Sequence, residues 1–501
     1  MTKKSLEFQK FNDEGDEMNT FNKLIDQMGY TKYNLFVTIV AATILAVDGA
    51  QSLLLAFLLS LMNQKIGLTE YDLAIISTME SIGYAVSNIL VNLITQFISN
   101  TLTIQIFSIL GLVSSGLCFS TFNFYVICAT RFSFGFCMGI IDLLIYITLV
   151  EITPTKIRGF LSSLLFMFNP LGSFFVALYG YYELEDRRTK GNFYVLVMFP
   201  FVVLFFFIIS VFFLQETPRT LLSQNKFEES IKSIERIDNF NNLKDQNTQR
   251  NKEELIKEIK EKIKRTKSVE NAEKIASIAS GRDIDKKSVD SIELRSANFY
   301  PKFRRIFNIN YRKYTILIWL IVILTSFTSN GVFFMLPTTA PDLDKSTFVT
   351  VIVSVFIEIP SIILTSILIE TSNIGRLRAL KIGLVGTLIA SSLFFIYLKP
   401  MVYVDCLLKF FINIPVAVIT VYGSEIYDSK IRIFGCSAIN FWKRISFIVS
   451  PITVAYFDSR IGLSTTYYLF LPFTIFALLL SFFLNIETRG VPLDEFGKNE
   501  G

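Results

Sequence analysis

Ionisable and polar side chains stand where this 501-residue sequence is otherwise continuously apolar. Asp48 falls near the middle of the first apolar run, Glu80 in the second, Arg131 and Asp142 in the fourth, Glu358 in the eighth and Lys409 in the tenth. An ionisable group at the centre of a bilayer costs about 2.5–3.5 kcal/mol on insertion scales, so each is a candidate for binding or proton transfer. Asp48 suits either proton coupling or cation binding, the other reading being a structural carboxylate paired with Arg131 or Lys409. Glu80, Asp142 and Glu358 are candidate proton carriers, or they neutralise a neighbouring base, as Glu80 could neutralise Arg131. Asp405 lies four residues before Lys409, a spacing that also fits an intrahelical pair. Asn330, Asn440 and Trp442 offer the polar and aromatic groups a solute site needs, or they bridge helices.

A second set of charges is repeated. "VEITPTKIRG", Val150 to Gly159, echoes "SEIYDSKIRI", Ser424 to Ile433, which matches Glu151 with Glu425, Lys156 with Lys430 and Arg158 with Arg432. The same offset places Gln96 on Glu370 and Thr101 on Gly375, next to Arg376. Another pair follows in the same order: "ETPRTLL" with Glu216 and Arg219, and "ETRGVPL" with Glu487 and Arg489. Carboxylates at the end of one helix pair can reach a guanidinium of another bundle or a helix amino terminus, forming a gate that breaks when a cavity opens. A structural turn at the membrane interface is the competing account. Pro154 favours ending the preceding helix, because it cannot continue the hydrogen-bond ladder.

The elements that must position these groups are twelve runs of membrane-spanning length: Leu35–Met62, Asp72–Ile98, Leu102–Thr121, Phe124–Leu149, Gly159–Tyr181, Phe193–Leu214, Tyr314–Leu336, Thr347–Ile369, Ala379–Leu398, Val402–Tyr422, Gly435–Tyr456 and Ser464–Leu484. Hydrophobic residues make up 51% of the chain, and each run approaches the ~20 residues a helix needs to cross the hydrocarbon core. Strands of a membrane barrel alternate polar and apolar residues, and these runs do not, so the fold class is an all-α membrane protein. There is no histidine, which removes the commonest metal ligand, and no G-x-x-x-x-G-K-[ST] loop for a nucleotide. No metal is expected. Cys118, Cys128, Cys137, Cys406 and Cys436 lie within runs and lack C-x-x-C spacing, so they read as buried small hydrophobes. The net charge of +5 gathers in connecting loops and points to topology rather than to a nucleic-acid partner.

Lys and Arg are retained on the cytoplasmic side of a membrane. Alternate short loops hold Lys156, Arg158, Arg376, Arg378, Lys381, Lys430 and Arg432 on one side, and Lys65, Arg187, Arg188, Lys190, Lys345, Lys399 and Arg460, with Glu183, Glu185 and Asp186 beside the busiest group, on the other; the bias predicts both termini inside. The domain reading is a cytoplasmic segment 1–34, a six-helix bundle 35–214, a cytoplasmic loop 215–313, a second bundle 314–485 and a cytoplasmic tail 486–501. Within the loop, "NKEELIKEIKEKIKR", Asn251 to Arg265, spaces Leu255, Ile259 and Ile263 as a short amphipathic helix.

Arg131-Phe-x-x-Gly135-x-x-x-Gly139, then Glu151-x-x-Pro154-Thr-Lys-x-Arg158-Gly159, with the two Glu-Thr endings, resembles the major facilitator superfamily, most of all its sugar-porter and synaptic-vesicle-protein-related groups. The resemblance implies twelve helices in two pseudo-symmetric six-helix bundles that alternately expose a midplane site to either side. It implies a secondary or facilitative transporter of a small organic solute, whether sugar, organic cation or organic acid, acting by symport or uniport. It implies no enzyme activity and no cofactor beyond possible proton coupling. Its partners would be the lipid bilayer and the solute, the chain monomeric, in the plasma membrane or an intracellular vesicle membrane. One departure stands out. The loop between helices two and three, "NLITQFISNTLT", lacks the acid, glycine and arginine that the family keeps there, whereas "IETSNIGRLR" in the second half retains Glu370, Gly375, Arg376 and Arg378. That loss leaves open a transport-inactive sensor or scaffold that uses the central loop.

Overall fold

The structure, a computed structural model, describes residues 25–66, 70–120, 123–183, 204–205, 207–209, 211–223, 226–241, 306–338, 345–393, 402–461, 467–491 and 493. Every regular element among them is helical. In chain order they are α1 (Lys32–Ile66), α2 (Glu70–Phe97), α3 (Asn100–Ser120), α4 (Phe124–Ile152), α5 (Arg158–Leu164), α6 (Phe168–Glu183), α7 (Pro218–Ser223), α8 (Phe227–Asn241), α9 (Ile309–Thr338), α10 (Lys345–Phe356), α11 (Glu358–Glu370), α12 (Gly375–Leu393), α13 (Val402–Ile426), α14 (Ser429–Ile461) and α15 (Phe470–Ser481). Each apolar run of the sequence meets a helix or helix pair, except that most of 193–214 and the amphipathic stretch 251–265 lie outside the described residues.

Two runs are broken, and proline accounts for both. A single 3₁₀ turn, Leu165–Met167, separates α5 from α6, and Pro170 has no N–H to give the Phe166 carbonyl. Between α10 and α11 the helix breaks at Ile357, where Pro360 likewise leaves Phe356 without its donor. The broken helices face each other, α5 packing on α11 and α6 on α10.

Each half buries its own core. One cluster joins Val37, Val40, Phe134, Ile141 and Leu144 of the first half, and another joins Ile318, Ile321, Leu380, Val418 and Tyr422 of the second. Surfaces facing away from these cores stay apolar: Leu102, Ile106, Ile109, Val113 and Leu117 form an exposed stripe on α3 at helical spacing, as lipid requires. The halves meet along α2 and α14 as well as along the broken helices. Cys118, Cys137, Cys406 and Cys436 are buried, as their placement in runs led one to expect, Cys128 is half-buried, and all five are free thiols.

Candidate functional site

Asp48 lies half-way along α1, buried at the interface with α2, α4 and α6. Its Oδ1 is 2.5 Å from the Tyr84 hydroxyl, which is also 2.8 Å from Asp142 Oδ2. Asn169 Nδ2 donates to Asp48 Oδ2 at 3.0 Å. Two close helix crossings set this geometry. A Cβ on Gly49 would come 1.9 Å from the Asn169 carbonyl, and one on Gly135 would come 2.1 Å from the Glu80 carbonyl, so both crossings need glycine. The Arg131-Phe-x-x-Gly135 motif is therefore a packing signature that draws α2 against α4 and lets Arg131 Nη1 reach Glu80 Oε2 at 3.4 Å.

The pairing of Asp48 with Arg131 or Lys409 is not what the structure holds: its carboxylate is bound by Tyr84 and Asn169. Lys409, rather than finding its partner within its own helix, reaches across to Glu358 Oε1 at 3.7 Å and lies over the Phe333 ring at 4.9 Å. The break at Ile357 is what places Glu358 in the first turn of α11, facing α13. Asn330 Nδ2 donates to the Phe447 carbonyl at 3.0 Å, bridging α9 and α14. Trp442 packs against Trp319, ring centroids 6.0 Å apart, and Asn440 is half-buried on α14 two residues before it.

Sequence reasoning passes over four residues of this region: Tyr84, Asn169, Lys443 and Arg444. The Arg444 guanidinium stacks on the Tyr84 ring at 3.5 Å and lies within electrostatic reach of Asp48, Asp142 and Glu80. Lys443 feels Asp48 and Asp142 in the same way. Two adjacent bases inside the run Gly435–Tyr456 are the signal that finds the cations. Tyr84 and Asn169 carry no comparable mark, since only the helix crossings bring them to Asp48.

The repeated motif forms a reciprocal lock between the halves. Arg158 Nε donates to Glu425 Oε1 at 3.2 Å, and Arg432 Nη1 donates to Glu151 Oε1 at 3.1 Å. Each arginine thus binds the carboxylate of the other copy of its own motif. Glu425 also takes Arg376, Nε to Oε2 at 3.1 Å and Nη2 to Oε1 at 3.0 Å, and Arg376 Nη2 reaches Glu370 Oε1 at 3.3 Å. The Glu-Thr endings support the lock. Thr488 Oγ1 donates to Glu425 Oε2 at 2.6 Å, while Thr217 Oγ1 donates to Glu151 Oε2.

Glu216 and Glu487, gate candidates by sequence, cap the amino termini of α3 and α12. Glu216 Oε1 accepts from the Thr101 N–H at 2.8 Å, and Glu487 accepts from the Arg376 and Leu377 N–H groups at 2.9 and 3.1 Å. Carboxylates bind well there because a helix amino terminus leaves its first N–H groups unpaired. Burial pushes the Glu216 carboxyl above its ordinary range, against the pull of the donors from Thr101. Arg489 Nε approaches Glu370 Oε2 at 3.9 Å, and Arg219 is buried on α7, which packs on α14.

The unequal loops now have a physical explanation. A Cβ on Gly159 would meet Arg376 Nη2 at 2.2 Å and Glu370 Oε1 at 2.6 Å, and the Phe160 N–H donates to that same Glu370 oxygen at 3.1 Å. Gly159 in the first half is therefore the seat of the charged loop of the second half. Its counterpart is Ile433, and the loop of the first half has Gln96 and Leu102 where Glu370 and Arg376 stand. Where no guanidinium must be admitted, a large side chain is tolerated.

A family model described as Sugar (and other) transporter matches residues 38–499. No curated protein matches the chain. Among solved structures, the proton:xylose symporter XylE bound to 6-bromo-6-deoxy-D-glucose is similar at TM-score 0.71 and 15% identity, over 93% of this chain and 99% of that one. XylE from E. coli in a partially occluded inward-open conformation gives TM-score 0.62 at 13% identity, over 91% of this chain and 100% of that one. The inward-open form gives TM-score 0.60 at 16% identity, over 93% and 99%. The fold is that of the major facilitator superfamily.

Proposed function

This chain belongs to the family of sugar (and other) transporters, multi-pass membrane proteins that move a small organic solute by alternating access, and from that premise we propose a proton-coupled transporter of a sugar-sized solute. The observation that carries the coupling is a count of hydrogens. Asp48 Oδ1, the Tyr84 hydroxyl and Asp142 Oδ2 make two short contacts in a row, at 2.5 and 2.8 Å, and the phenol brings one hydrogen. The second contact is attractive only if one carboxyl carries a proton of its own. Asp142 is the better holder. Asp48 has both oxygens partnered, whereas Asp142 Oδ1 is buried with no hydrogen-bond partner, a position that suits a neutral carboxyl better than an ion.

In this reading Asp142 donates to the Tyr84 oxygen while Tyr84 donates to ionised Asp48. Loss of the proton sets two carboxylates against one hydroxyl. Tyr84 is stacked under Arg444 of α14, so the resulting shift is passed to the other half of the molecule. Alternating access follows when the locks Arg158–Glu425 and Arg432–Glu151 open and the halves rock about the broken helices. The face carrying those locks is cytoplasmic, with both termini on that side, which the bias of loop lysines and arginines supports.

The test is uptake of radiolabelled xylose, glucose and glucuronate into proteoliposomes holding the full chain, with and without an inward proton gradient. The gradient is expected to accelerate uptake of at least one probe in the wild type and to lose that effect in Asp142→Asn. Gradient-independent uptake by both contradicts the coupling.

A further inference from the structure

We infer that Lys443 and Arg444 form an oxyanion site, and that the solute this chain carries bears a carboxylate or phosphate. The inference rests on the transporter reading above and deepens it. Both residues lie near the middle of α14, some fourteen positions past Ser429 and therefore about 21 Å from its start at 1.5 Å per residue. Neither makes a hydrogen bond or an ion pair with any described residue. Each is half-buried on the helix that packs against α2 of the first half. Among the described residues they lie over aromatic faces, Tyr84 and Phe447 for Arg444 and Phe447, at 5.8 Å, for Lys443.

Two adjacent cations at membrane depth with no carboxylate in contact form a costly arrangement for a purely structural role. The charges around them do not cancel. Glu80 is taken by Arg131 at 3.4 Å, and Asp48 is held by Tyr84 and Asn169. With Asp142 neutral, among the described residues that the contacts above bring together, three cations, Arg131, Lys443 and Arg444, stand beside two ionised carboxylates. One positive charge is left over. A monoanionic group on the solute supplies the missing counter-ion, and arginine beside lysine offers the forked and point donors that carboxylate and phosphate accept. Asn440 stands one turn before Arg444 on the same helix face, placed to bind the uncharged part of such a solute.

The experiment measures thermal stabilisation of the purified full-length protein by glucose, glucuronate and glucose 6-phosphate, with no gradient applied. Glucuronate or glucose 6-phosphate is expected to stabilise at concentrations at least tenfold lower than glucose. The more effective of the two identifies carboxylate or phosphate as the group. Arg444→Gln and Lys443→Gln should each abolish that preference, while Lys443→Arg retains it and shows that the fold tolerates change there. Equal stabilisation by glucose and both anions, no stabilisation by either anion, or an unchanged preference in both Gln variants that melt like the wild type, overturns the site. A preference for the anion together with gradient-independent uptake contradicts the proton coupling alone and leaves this site standing.

Discussion

Arg158 Nε meets Glu425 Oε1 at 3.2 Å across the boundary between the two halves, and the repeats of these residues, Arg432 and Glu151, meet at 3.1 Å in the opposite sense. The pair is isologous, as a two-fold relation demands, although both partners belong to one chain. Closing the face therefore forms two equivalent contacts at once, and opening it must break both.

The two nodes are unequal in load. Glu425 binds two guanidiniums and Thr488, whereas Glu151 binds one guanidinium and two threonine hydroxyls. Glu425→Gln leaves Arg158 and Arg376 buried against a neutral amide, and losing one partner of a buried pair costs about 3–5 kcal/mol. Glu151→Gln strands one arginine and should cost less. Thiol labelling of a cysteine placed inside the cavity, applied from the motif face, is expected to rise more in Glu425→Gln than in Glu151→Gln. The reverse order would show that the nodes are not weighted as their contacts imply.

Gly159→Ala places a methyl 2.2 Å from Arg376 Nη2, inside the charge network. Overpacking of this kind costs about 1–3 kcal/mol and here falls on the closed state alone. The variant should favour the state open at the motif face and lower the rate of exchange, as read by the same labelling. Ile433→Gly, at the equivalent position, where the first-half loop has Leu102 in place of Arg376, is expected to show no such bias.

Lys409→Met leaves Glu358 without its cation in the broken helix. A loss of roughly 3 kcal/mol, at the low end for a broken buried pair, is expected, and Glu358→Gln in the same chain should restore most of it. Melting temperatures of the two single variants and the double variant test this. Additive losses would mean that the 3.7 Å contact carries no coupling.

Much of this architecture is legible in the sequence. Continuous apolar runs specify helices, because lipid offers no other partner for the backbone, and the "KIRG" and "KIRI" echoes specify the two halves. Asp48, Asp142, Glu151 and Arg158 stand out because charge in or beside a run is costly. What the pattern does not specify is partnership. Asp48 meets Tyr84 because Gly135 and Gly49 allow close crossings, and such geometry has no local signature. Lys409 meets Glu358 instead of its neighbour on the same helix because Pro360 breaks that run. The glutamates of the Glu-Thr endings read as gate candidates, but which helix starts Glu216 and Glu487 reach is set by where the chain returns after the last helix of each half.

Tyr84 offers its own check on the proton count. Tyr84→Phe removes the hydroxyl between the carboxyls while keeping the ring under Arg444. Stability should change little, whereas the pH dependence of uptake should shift and flatten. A profile identical to that of the wild type would place the coupling proton elsewhere.

The central claim is that Asp142 carries the coupling proton and donates it to the Tyr84 oxygen, whose own hydrogen goes to Asp48. Its most direct measurement is pH change inside proteoliposomes during solute uptake, followed with an internal dye for the wild type and for Asp142→Asn. The account predicts internal acidification with uptake in the wild type and solute entry without acidification in the variant. Acidification at the wild-type ratio of proton to solute in Asp142→Asn would contradict it.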